Sequence, residues 1–160
     1  MGPLLIEAFR YHKWANLQLL EVCAGLEAEQ LQLTSTGTYG SIAATLLHLA
    51  AAEQRYVKRL GGSAPQLSEK SEFPGIDSLR GQMERSGDEL LALAGRVRPD
   101  DTTPAEGTPH VRHWVPIVQS LHHGNDHRTH ICTILGQNGI DHPDLDVWAY
   151  ARVAGGYVTA

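Results

Sequence analysis

At 160 residues, with 42% apolar and 19% charged side chains, the chain is sized for one domain and is too apolar for a disordered polypeptide; a domain of this length buries roughly two thirds of the surface its unfolded chain exposes. No run approaches the ~18 uninterrupted apolar residues of a membrane span, and a formal charge of −5 without a basic cluster argues against nucleic acid or anionic lipid as a partner. What remains is a soluble protein that meets a small molecule.

Met1 to Leu5 lacks the basic start and long apolar core of a secretory signal, because charged and polar residues recur from Glu7 to Lys13. The expected location is the cytoplasm. Cys23 and Cys132 fall singly on apolar helical stretches and not in a CxxC pair, as suits buried thiols in a reducing compartment.

Pro3 suits a first helical position, and Leu5, Phe9, His12, Ala15, Leu19 and Cys23 recur at helical spacing up to Gly25. A polar, Thr-rich connection follows. Ser41 can cap a second helix whose stripe is Ile42, Leu46, Leu49, Ala52, Tyr56 and Leu60, stopped by Gly61 and Gly62. Beyond a loop with Pro65 and Pro74, the residues Ile76, Leu79, Met83, Leu90, Leu91 and Leu93 predict a third helix, loosened by Gly81 and Gly87. Arg98 to Pro116 carries four prolines with Asp100, Asp101 and Gly107, and its alternation through His110, Val111, Arg112 and His113 is too short to force a strand. It reads as an ordered loop. Pro116 opens a fourth helix through Ile117, Leu121, Gly124, Ile131, Ile134 and Leu135, ending near Gly136 to Gly139; a short fifth follows from Pro143 through Trp148 to Val153 as a lid or dimer element. Four amphipathic helices of about 20 residues in one small domain, residues 1–160, predict an all-α four-helix bundle with a short C-terminal helix, where sites form between facing helices.

The chemistry concentrates on helix four. In His122 to Ile131, reading HHGNDHRTHI, His123 and His127 stand four residues apart, and four of the nine histidines of the chain lie within nine residues. On a helix that spacing puts both imidazoles on one face, their Cβ atoms ~5–6 Å apart, so both can close on one metal ion. That face continues through Ser120, His130, Ile131 and Ile134 and points inward. Two ligands do not suffice, since a zinc-type ion that does chemistry needs three protein ligands and an open position. His48, in the middle of the apolar run Leu46-Leu47-His48-Leu49-Ala50, is the best third candidate, because a buried imidazole without a partner costs ~1–3 kcal/mol. From periodicity alone, a core histidine bonded to a carbonyl or a carboxyl is an equal reading.

Several motifs in this order resemble the DinB-like, or YfiT-like, superfamily of bacterial proteins. They are Arg10-Tyr11-His12-Lys13-Trp14-Ala15-Asn16, Tyr39-Gly40-Ser41 leading into Leu47-His48-Leu49-Ala50-Ala51-Ala52-Glu53, His123-Gly124-Asn125-Asp126-His127-Arg128, and the late Val147-Trp148-Ala149-Tyr150. The resemblance covers most of the chain. It implies a four-helix bundle holding a divalent metal on three histidines, which map here onto His48, His123 and His127. It also implies a homodimer and a choice of activities: thiol-dependent S-transfer, isomerisation of a thiol-linked substrate, or metal-dependent hydrolysis. One departure stands out: many relatives have glutamine where this chain has His130, which leaves His130 as a fourth ligand, a proton acceptor or an ordinary helix residue. His122 faces about 100° away from His123 and is not a candidate.

Three neutral imidazoles leave an ion its full dipositive charge, which acidifies a bound water and favours a bound thiolate. Zinc is the first expectation; nickel, manganese and iron also accept imidazole. His12 and Asn16 on helix one are either auxiliary groups supporting the site or plain buried residues. Glu53 is a general base or a solvent-facing ion pair, Asp126 a surface carboxylate or a support for an imidazole, and Arg128 a tie between helices through a carboxylate or an anion contact. Trp14, Trp114 and Trp148 are expected to pack, with Trp148 a candidate for the pocket mouth. The glutamate of HExxH is missing, because glycine follows His123, and no deaminase cysteine pair, Glu-x-x-His pair, GxSxG, P-loop or GxGxxG is present. Two classes of function follow: a metal-dependent enzyme, either transferring a low-molecular-weight thiol to small electrophiles or hydrolysing with metal-activated water, and a metal-binding, stress-related protein without turnover.

Overall fold

The computed structural model describes residues 2–63, 67–103 and 110–158; Met1 at the start, and Pro65, Pro104, Gly107 and Pro109 of the expected loops, lie outside the described residues. Its helices are α1 (Gly2–Ala24), α2 (Ile42–Arg59), α3 (Ile76–Ala94), α4 (Trp114–Gln137) and α5 (Val147–Ala154), with a single 3₁₀ turn at Gln30–Gln32. The only pairing of extended backbone among the described residues is one antiparallel bridge, Thr102 to Arg112. No helix among them is long and apolar enough to cross a membrane.

Local chemistry sets the helix ends. The Ser41 side chain accepts from the Ala44 backbone N–H, capping α2. At its other end Gly61, at φ +84°, turns the chain left-handed while Gly61 N–H donates to Lys58 O at 3.0 Å and Gly62 N–H to Val57 O at 2.9 Å, the paired bonds of a Schellman stop. The fourth helix starts at Trp114, two residues before the proline expected to open it. The first four N–H groups of a helix have no partner within it, so proline is tolerated throughout that turn. The preceding loop is fastened by His113 N–H to Asp101 O at 2.9 Å and Trp114 N–H to Pro99 O at 3.1 Å. Asp146 caps α5 through Ala149 N–H at 2.7 Å, so that helix begins after Pro143 and not at it.

The packing divides into two apolar layers. Leu19, Leu20, Ile42, Leu46, Leu49, Leu79, Met83, Ile131, Ile134 and Leu135 form one, and Phe9, Val57, Leu60, Leu90, Leu93 and Ile117 the other. The order in which each helix visits them makes α1 parallel to α4 and α2 parallel to α3. The bundle is therefore up, down, down, up, and the connection between α2 and α3 must run back along its full length. That return brings the segment around Glu69 past α2. Expected packing of the tryptophans holds only in part: Trp14 and Tyr150 approach with ring centroids 5.4 Å apart, but Trp114 is 50% and Trp148 is 68% exposed. Each lies in the first turn of its helix, and Trp148 does not line either of the cavities described below.

Candidate metal centre

His48 on α2 faces His123 and His127 on α4 across the seam of the two helices. Their ring centroids lie 4.9 Å (His48 to His123), 4.7 Å (His48 to His127) and 4.3 Å (His123 to His127) apart, and one ring nitrogen from each falls within 4.8 Å of the others. The α2 to α3 connection adds Glu69, whose Oε2 accepts from His48 Nδ1 at 2.8 Å while its Oε1 pairs with Arg55 at 2.5 Å. With the proton held on Nδ1, the Nε2 lone pair of His48 points to His123 Nε2, 2.9 Å away. Tyr39, from the α1 to α2 connection, stacks on His48 at 4.1 Å and meets His127 edge-on at 5.1 Å. Tyr56 stands edge-on to His123 at 5.7 Å.

Electrostatics favour the neutral rings that ligate metals. Burial, reinforced by the charges of His127 and His48, lowers the His123 pKa to about 3. Burial with the charges of His48 and His130 lowers that of His127 to about 4, against a weaker upward pull from Asp126. Both rings are uncharged at neutral pH. His127 is 6% exposed, and its Nδ1 is buried without a hydrogen-bond partner among the described residues. Nitrogens on a tetrahedral ion with bonds of about 2.0–2.1 Å stand about 3.3 Å apart, so the 2.9 Å gap between His48 and His123 needs to open by only a few tenths of an ångström. The donor set fits a first-row divalent ion. A cavity of about 330 Å³ adjoins it, lined by Gln32, Tyr39, Ser41, His48, Glu69 and Phe73 among others. A larger one, about 900 Å³, lies on the far side of α4 between Tyr11, Cys132 and His142 and includes none of the three histidines.

Between the two apolar layers lies a buried polar one. Glu53 is 2% exposed and accepts at Oε2 from His12 Nε2 at 2.7 Å and Asn16 Nδ2 at 2.9 Å, and at Oε1 from the Ser86 hydroxyl. Arg128 Nη1 donates to Asn16 Oδ1 at 2.7 Å and approaches His12 Nδ1 at 3.4 Å. These partners give His12 its tautomer: Nδ1 faces a donor, so Nε2 carries the proton given to Glu53. One residue from each of α2 and α3 and two from α1 thus meet Arg128 of α4. Gly124 makes room for them, since a Cβ there would stand 2.3 Å from His12 Cε1 and 2.8 Å from His12 Nδ1.

The three histidines expected to meet do so, whereas His12 and Asn16 bond to Glu53 and Arg128 and to none of the three. Glu53 is not the solvent-facing ion pair expected as one option: five residues beyond His48 it turns to the core side of α2. Arg128 ties helices as expected, but through Asn16 and His12, because Asn16 stands between it and the carboxylate. His122 and Asp126 are exposed, and His130 packs beside His127 with ring centroids 5.3 Å apart. Sequence reasoning missed Glu69. It sits in a polar connection with no periodicity, and only the course of that connection brings it to His48. Tyr39 was visible as part of the Tyr39-Gly40-Ser41 motif but carried no assigned role.

The family model of the DinB family matches residues 1–158. No curated protein matches the chain.

Proposed function

The chain belongs to the DinB family, and we propose that it is a metal-dependent enzyme holding one divalent ion on His48, His123 and His127 and transferring a low-molecular-weight thiol to a small electrophile. The observation that carries this reading is the convergence of three ring nitrogens within 4.8 Å, two of them on imidazoles kept neutral by burial, beside a small-molecule-sized cavity. When bound, a divalent ion, zinc first among those that accept imidazole, supplies the positive charge that favours thiolate over thiol. The residues of the chain do the rest. Glu69 holds the His48 proton at Nδ1 and so aims Nε2 at the centre. The Tyr39 ring, stacked on His48, shields one side from water, and its phenol is kept protonated by burial and by the Glu69 charge. In the transfer the S–H bond breaks and an S–C bond forms on the electrophile. The leaving group takes its electron pair, and the thiol proton passes to solvent.

The same reading places the protein in the cytoplasm as a homodimer. Val147, Trp148 and Val153 of α5, all more than half exposed, are available to a second copy.

The test is incubation of zinc-loaded protein with a chromogenic electrophile, with and without a small thiol, beside zinc content by elemental analysis. Turnover that requires thiol, with about one zinc bound, is the expected result. Turnover without thiol makes the protein a hydrolase using activated water. Bound zinc that raises the melting temperature with no turnover makes it a metal-binding protein and ends the enzyme reading.

A further inference from the structure

Helix α4 carries more ligand atoms than the centre above uses. His130 lies one turn beyond both Asp126 and His127, and although those two are consecutive residues that leave the helix in different directions, ligand atoms of Asp126, His127 and His130 all come within 4.8 Å of one another. Positions three and four apart on a helix are neighbours, so this grouping needs no second helix to assemble it. Two buried polar atoms belong to its rings. The Nδ1 atoms of both His127 and His130 are buried and have no hydrogen-bond partner among the described residues. A buried imidazole nitrogen left unpaired costs on the order of 1–3 kcal/mol, and here two such nitrogens belong to adjacent rings, with an exposed carboxylate, Asp126, beside them.

We propose that Asp126, His127 and His130 form a second resting place for a divalent cation, alternative to the His48, His123 and His127 centre and sharing His127 with it. The inference rests on the proposed metal centre only through that shared ring. Two histidines and one carboxylate on a single helix leave the other coordination positions open, a donor set that manganese, iron, nickel and zinc all accept. Because a ring with one nitrogen protonated has a single lone pair to give, the two places exclude each other, and the protein binds one cation in total. The inner place spans α2 and α4 beneath Tyr39. The outer place lies wholly on α4, next to the exposed Asp126, so a cation can enter from solvent there and pass inward by exchanging Asp126 and His130 for His48 and His123.

Equilibrium zinc titration against a chromophoric chelator tests this, with circular dichroism as the check that each variant is folded. Wild type is expected to bind one equivalent. In His48→Ala one equivalent remains, weakened by more than the about 10–100-fold that follows loss of a group merely supporting a ligand. That residual binding disappears in His48→Ala/His130→Gln and weakens further in His48→Ala/Asp126→Asn, while His130→Gln alone keeps the tight equivalent. Complete loss of zinc in folded His48→Ala, or residual binding unchanged by His130→Gln, overturns the second place and leaves the three-histidine centre standing. Tight binding unaffected by His48→Ala would instead overturn the three-histidine centre and put the cation on Asp126, His127 and His130.

Discussion

A neutral imidazole offers a lone pair from only one ring nitrogen, and Glu69 decides which one His48 offers. Removing the charge of that carboxylate while keeping its shape, in Glu69→Gln, is predicted to weaken zinc binding by about 10–100-fold in chelator competition; unchanged affinity would mean that His48 is oriented by packing alone. Protonation of the other two rings has a definite sign. Their folded pKa values of about 3 and about 4 lie below the ordinary 6.5, so as pH falls the unfolded chain takes up these protons first. The stability of the metal-free protein that depends on these rings is complete above about pH 6.5 and is lost as pH falls from there toward about 3. Urea midpoints at pH 7.5 and pH 4.5 should therefore separate more in wild type than in His123→Gln/His127→Gln; equal separation would contradict the assignment. Gly124 carries a third prediction. An alanine Cβ would press on the His12 ring at 2.3 Å, and Gly124→Ala should cost about 1–3 kcal/mol, the usual range for overpacking, in urea unfolding.

At the scale of helices, the polar layer of His12, Asn16, Glu53, Ser86 and Arg128 fixes how the four long helices sit against one another, since a slide along any axis would strand a buried charge. Removing one partner of a buried ionic network costs about 3–5 kcal/mol. Arg128→Met is predicted to lose stability in that range by urea unfolding, and Glu53→Gln/Arg128→Met to regain part of it; a loss below 1 kcal/mol would show that the layer is not a lock. Much of this architecture was legible in the sequence. Ser41, Gly61 and Gly62 mark the ends of α2 because capping chemistry is local, and the apolar stripes of α1 to α4 repeat often enough to leave no other fold class. The helix spacing of His123 and His127 made half of the candidate centre visible as well. Glu69 and the core-facing turn of Glu53 were not legible, because each depends on which element passes nearby, and no local pattern encodes that. Proline misplaced the start of α4 for a related reason: Pro116 is compatible with several positions in a first turn, and the bonds from His113 and Trp114 back to the loop chose among them.

Across the whole molecule, the candidate centre bridges α2 and α4 at a point where two connections, carrying Tyr39 and Glu69, also meet. A ligand that binds only the folded state stabilises it by about 2.7 kcal/mol at a hundred times its dissociation constant, so a cation held there would add to the apolar packing that already joins α2 to α4. The central claim is that α4 holds a divalent cation through His127, whichever partners complete the set. The most direct measurement is zinc content by elemental analysis of untagged wild type and folded His127→Ala after dialysis against trace zinc. About one equivalent in wild type and none in His127→Ala is the predicted result; zinc retained by His127→Ala, or absent from wild type, would contradict it.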